Sequence, residues 1–314
     1  MELSKCLKTL SFCQNIRQAG SLTTQPRYFS KDYYKALSGD CYVKKLNAVP
    51  LEIERLFPNN EFEKIYNDIV RAYGLKNPPK IVWAPTGNYG DACMNHENNL
   101  VYFDINKFSE KKYKALIEYT DANGNVVKGY QPSNNNILAT YKDEADFDKN
   151  VKPDCDRLNI KAKLVPLTDA DKRNLIIFRF AHELGHAFQN KIVSQTEGLS
   201  LHNMLKEIRI KNDKNFISLN KFLATWDKKF AIIYGKEEQK LYSLDSKEGH
   251  YARKIYESSI NYPYRSKGTS EYYNNFLEID ANNRARVFVN QNYGGFDEMV
   301  DIRNIYDYIK SNKI

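Results

Sequence analysis

Apolar residues recur at helical spacing between Pro50 and Tyr73, where Leu51, Ile53, Leu56, Phe57, Phe62, Ile65, Tyr66 and Ile69 predict one or two helices. Gly74 and the Pro78-Pro79 pair end them. The pattern then shortens to strand-like runs, Lys80 to Ala84 and Asn99 to Ile105. A lysine-rich helical start follows at about residue 109. Beyond it, the runs Ile117 to Thr120 and Val126-Val127 flank Asn123-Gly124, a strong short-range hairpin signal. Asn136 to Tyr141 and Ile160 to Val165 are further candidate strands, separated by an acidic, turn-like segment containing Pro153. The strands therefore fall before residue 166.

From there the pattern is helical to the end. Thr168 can cap a helix that Asp171, three residues on, answers, and Asp169 and Asp171 sit where the helix dipole favours negative charge. From Leu175 to Phe188 this helix is apolar on nearly every side, which predicts a central element. Leu201 to Ile210, Leu219 to Tyr234 with Gly235 as C-cap, and Ser246 to Ile260 also carry helical periodicity. Thr269 or Ser270 can cap a long helix through Glu271 to Ala285, with Gly294-Gly295 closing that unit. Phe296, Met299, Ile302, Ile305, Tyr306 and Ile309 predict a last amphipathic helix. The fold class expected is α+β, a small sheet beside a central helix.

Composition narrows the picture. A chain of 314 residues has room for one large domain or two ordinary ones. Residues 1–30 stand apart, with Lys5, Lys8, Arg17 and Arg27 against the single acid Glu2. They read as a leader or flexible segment, with the basic amphipathic character of a mitochondrial transit peptide as one alternative. No run of eighteen apolar residues occurs, so no transmembrane helix is expected. The 5 cysteines are scattered and odd in number, which suits free thiols better than a disulfide framework. The net charge of +8 is interleaved with acids and accompanies no nucleic-acid motif, so no nucleic-acid partner is expected.

The central helix carries the chemistry. His182-Glu183-Leu184-Gly185-His186 places two imidazoles four residues apart on one side of a helix, with a carboxylate beside them. That spacing holds zinc in metalloproteases, the glutamate acting as general base. A catalytic zinc takes three protein ligands, so a third is required. Glu278 is the candidate, because it shares a helical face with Ala281, Asn282 and Ala285, whose small side chains permit close approach to the metal helix. Glu207 is the main rival, with Glu197 behind it, and His202 and His250 are further candidates as ligands or transition-state donors. Tyr264, Tyr272 and Tyr273 are other possible donors, and Asp280 or Asn282 could orient a ligand histidine through its second nitrogen. His96, near Cys93, reads as a surface-turn histidine.

His182-Glu183-Leu184-Gly185-His186, followed by Glu278-Ile279-Asp280-Ala281-Asn282-Asn283-Arg284-Ala285, resembles the ImmA/IrrE-type zinc metallopeptidases, a gluzincin group. The resemblance implies a minimal zincin fold, Zn2+ held by His182, His186 and Glu278, and Glu183 as base. It also implies an intracellular regulator that cleaves a protein substrate, hence a cytoplasmic location. Here residues 187–277 separate the motifs, a much longer spacing than the family's, which predicts a helical insertion at about 190–265 within a domain spanning 31–314. The first motif is also similar to bacterial effector and toxin metalloproteases, for which secretion and a host protein substrate would follow. The expectation is an active endopeptidase, with two alternatives of other classes: a zincin-fold binding module without proteolysis, and a structural protein without metal.

Overall fold

The computed structural model describes residues 49–86, 90–95, 99–121, 123–195, 246–261 and 270–305. The first apolar stretch forms two helices, α1 (Leu51–Leu56) and α2 (Glu61–Ala72), and Gly74 turns the chain with φ of 60°. Three short strands follow: β1 (Lys80–Trp83), β2 (Ala92–Asn95) and β3 (Leu100–Phe103). They form one sheet in the order β1-β3-β2, with β1 parallel and β2 antiparallel to the central β3. Among the described strands β2 thus lies at an edge.

Asp104 caps the short helix α3 (Ile105–Ser109) by accepting from the amides of Asn106 at 3.2 Å and Lys107 at 3.3 Å. A second, antiparallel sheet, β5-β4-β6, is built from β4 (Tyr113–Thr120), β5 (Val126–Tyr130) and β6 (Lys161–Pro166). Asn123-Gly124 makes the expected hairpin between β4 and β5, with Asp121 accepting from the amides of Asn123 and Asn125 at 2.9 and 2.8 Å. Two helices, α4 (Glu144–Asn150) and α5 (Lys152–Arg157), connect this hairpin region to β6. The remaining elements are α6 (Asp169–Gln195), α7 (Lys247–Asn261), α8 (Ser270–Asn274) and α9 (Phe276–Tyr293). The protein is mixed α+β, and no described helix is long and apolar enough to cross a membrane.

Several local expectations change. Ala92 to Asn95, for which no strand was expected, form β2. The lysine-rich segment near residue 111 does not start a helix: Tyr113 opens β4, and Lys114 is buried because two carboxylates receive its ammonium. The run from Asn136 to Tyr141 makes isolated bridges, Pro132 to Leu138 and Tyr113 to Tyr141, since Asn136 turns the backbone with φ of 53°. The segment with Pro153 is helical, because Asp143 caps α4 and the proline sits in the first turn of α5, where no amide is missed. Met299 bridges Tyr130, and the helix expected from Phe296 is seen only from Ile302 within the described residues. Leu201 to Ile210, Leu219 to Tyr234, residues 1–30, His96 and most of the 190–265 segment lie outside the described residues.

The core gathers on α6. Phe180 stacks on Phe103 of β3 at 5.0 Å between centroids and meets Phe62 of α2 edge-on at 4.9 Å and Trp83 of β1 at 5.7 Å. Burying these rings fixes α6 against the first sheet, with geometry that aromatic pairs prefer. Ala115 and Ile117 of β4 face a separate apolar cluster with Phe147, Cys155, Val300 and Ile302.

Candidate metal centre

The helix that carries the histidines is fixed at its start. Thr168 Oγ1 accepts from the amide of Asp171 at 3.1 Å, and Asp171 accepts from the amide of Thr168 at 2.8 Å, the reciprocal pair expected from the sequence. Along α6, Arg173 is held by Glu61, Arg179 lies 3.2 Å from the Asp91 carboxylate just before β2, and Phe180 enters the aromatic core. These contacts set the rotation of α6 about its own axis, and therefore where His182, Glu183 and His186 point.

The second half of the site comes from α9. The long helix expected across residues 271–285 is broken at Asn275, whose side chain caps α9 by accepting from the amide of Leu277 at 2.9 Å. An asparagine competes for the backbone in this way more readily than it continues a helix. The break puts Glu278 in the first turn of α9, at the positive end of its dipole. Gly185 permits the close crossing: a Cβ there would stand 3.2 Å from Ala281 Cα and 3.3 Å from its Cβ. Ala281 and Ala285, the small residues on the Glu278 face, are both fully buried.

This crossing brings His182, His186 and Glu278 together as a buried group able to hold a metal ion. The two Nε2 atoms are 3.1 Å apart, and the Glu278 oxygens lie 3.4 Å from His182 Nε2 and 3.5 Å from His186 Nε2. A tetrahedral ion with bonds of about 2.0–2.2 Å separates its ligand atoms by about 3.3–3.6 Å. The two histidine–Glu278 separations, made by different carboxylate oxygens, fall within that range and the Nε2 pair is slightly closer, so the donor set suits a small divalent ion in chemistry and is close to it in size.

His186 and Glu278 perturb one another. Burial opposes charge on His186, but the Glu278 carboxylate outweighs it and the imidazole is pushed up to about 9. Burial likewise opposes charge on Glu278, yet hydrogen bonds and charge from both histidines hold it well below the usual carboxylate range. A proton thus takes up part of the role that a cation would have.

Glu183 is buried on the same helix and is 6% exposed. Its charge reaches Cys93 on β2, where burial first and Glu183 second push the thiol up. Strand β2 packs against α6, the helix that carries Glu183.

Gln189, absent from the residues proposed from sequence, is 0% exposed and lies 2.8 Å from His186 Nδ1 through its Oε1. Its amide nitrogen donates to the Leu277 carbonyl at 2.8 Å and to Asp280 at 3.1 Å. The signal was present: Gln189 is three residues from His186, on the same helical face. Asp280, expected to touch a ligand histidine, acts instead through Gln189. Asn282 is buried, and neither its Oδ1 nor His182 Nδ1 finds a partner among the described residues. His250 is exposed on α7, and Tyr272 and Tyr273 pack on each other at 5.3 Å. Glu207, Glu197, His202 and Tyr264 lie outside the described residues. No protein-family model, curated protein or solved structure matches the chain.

Proposed function

We propose that this chain is a zinc-dependent endopeptidase of the zincin type, with His182, His186 and Glu278 as zinc ligands and Glu183 as general base. The observation that supports it most is the convergence of two imidazole Nε2 atoms and the Glu278 carboxylate, at separations of 3.1–3.5 Å, with a second carboxylate one residue from the first histidine. Zinc in this donor set supplies Lewis acidity toward a peptide carbonyl and toward water. Glu183 takes a proton from water and delivers it to the leaving amine. β2 offers an edge to which an extended peptide backbone can pair, which would lay a protein substrate across α6. The reading also draws on the two motifs that resemble the ImmA/IrrE-type peptidases, His182 to His186 and Glu278 to Ala285.

Replacing Glu183 by Gln removes the base and leaves the ligands in place. The expected result is unchanged zinc content with hydrolysis of an unfolded protein substrate reduced at least ~100-fold. His182→Ala and His186→Ala should lose zinc as well as turnover. Burial favours one second reading: His182, Glu183 and His186 are each only 6% exposed, as suits a zinc-stabilised module that binds a protein without cutting it. Zinc content equal to one per chain with no cleavage in wild type, across a range of unfolded substrates, would select that reading.

A further inference from the structure

We propose that Gln189 is the positioning residue of the metal centre, fixing the tautomer of His186 and the place of Glu278 through one buried amide; this rests on the metal-site reading above. A glutamine amide has one acceptor and two N–H donors. Both donors of Gln189 are assigned, one to the Leu277 carbonyl at 2.8 Å and one to the Asp280 carboxylate at 3.1 Å. Neither partner can donate, so the amide cannot flip without facing oxygen against oxygen at a fully buried position.

The orientation of the amide determines the rest. Its Oε1 faces His186 Nδ1 at 2.8 Å, and an oxygen there requires Nδ1 to carry the hydrogen. Nε2, which faces Glu278, is left as the nitrogen that can bind a cation. Because Leu277 immediately precedes Glu278, the same side chain holds two of the three ligands in register, one on each helix.

The anchor extends outward. Asp280 also accepts from Tyr251 of α7 and from Arg284 Nε at 2.7 Å, and Arg284 lies 4.0 Å from the centroid of Phe188 on α6. Three helices thus converge on the carboxylate that holds Gln189. His182, whose Nδ1 has no partner among the described residues, receives no such support.

The test is the zinc dissociation constant of the full chain, by competition with a chromogenic chelator, for wild type, Gln189→Met and Gln189→Glu. Methionine keeps the volume and loses every hydrogen bond, so affinity should fall about 10–100-fold. Glutamate keeps the acceptor at Nδ1 but turns its second oxygen toward the Leu277 carbonyl and the Asp280 carboxylate, so it should lose affinity as well, and adding Asp280→Asn, which supplies a donor to that oxygen, should return part of the loss. Gln189→Met within about twofold of wild type, or a Gln189→Glu loss that Asp280→Asn does not lessen, would overturn the proposal. Should either variant fail to fold, nitrogen-15 NMR of the zinc-loaded wild type decides: a proton on His186 Nδ1 supports the proposal and a proton on Nε2 overturns it. Wild type that takes up no zinc would remove the metal reading itself and Gln189's role with it. Wild type that binds zinc beside an unaffected Gln189→Met would remove only the latter.

Discussion

At His186 a metal ion held by this group would compete with a proton for one nitrogen. Because Glu278 holds that imidazole up at about 9, the metal-free protein keeps it protonated at pH 7, and the proton must leave when a cation binds. The sign follows: apparent metal affinity rises with pH, roughly tenfold per unit for each proton released, and levels off above about pH 9. Calorimetric titration in buffers of different ionisation enthalpy at pH 7 should register at least one proton released per ion, and a pH-independent affinity would contradict this coupling. The residues nearest the chemistry were legible in the sequence because covalent helix geometry alone sets His182 and His186 side by side. Glu278 was legible through its small-residue face. Gln189 was not singled out, because a polar residue inside an apolar helix reveals its partner only after α9 is placed against it.

The crossing of α6 over α9 depends on an interval with no side chain. A Cβ at Gly185 would stand 3.2 Å from Ala281 Cα, a contact with backbone that no rotamer change relieves. Gly185→Val should therefore push the helices apart, destabilise the fold by about 1–3 kcal/mol and weaken metal binding at the same time. A variant with a lowered thermal midpoint and unchanged metal affinity would mean that α9 can shift without moving Glu278. At this scale the sequence spoke unevenly. The Thr168 and Asp171 cap and the Asn123-Gly124 hairpin were readable from local chemistry. The break at Asn275 was hidden, since the residues around it continue a helical pattern on both sides. β2 was hidden as well: Ala92 to Asn95 holds no β-branched residue, and pairing with β3 makes it a strand.

Across the whole molecule, one buried cation joins parts far apart in sequence. Lys114 of β4 lies 2.9 Å from Asp171 in the first turn of α6 and 3.0 Å from Asp297 beyond α9, with its ammonium 3.7 Å from the centroid of Tyr130. Its side chain is 2% exposed, so Lys114→Met leaves a buried carboxylate without its counter-charge. Unfolding in urea should show a loss of about 3 kcal/mol, and less than about 1 kcal/mol would mean that Asp171 is satisfied by Thr168 alone. Such long-range contacts explain why two sheets form where a single one was expected. Periodicity marks strands, but the partner of each is decided by burial and by groups like Lys114 that close only in the folded chain.

All of these scales converge on Glu278, which reaches two histidines across a gap of about ninety residues in sequence only because α9 begins where it does. Elemental analysis of zinc on purified wild type and Glu278→Ala, each reconstituted and then dialysed, is the most direct measurement. The result expected is one zinc per chain in wild type and its loss, or retention only in excess zinc, in the variant. Wild type that retains no zinc, or a Glu278→Ala chain that holds it as firmly as wild type, would contradict the three-ligand centre.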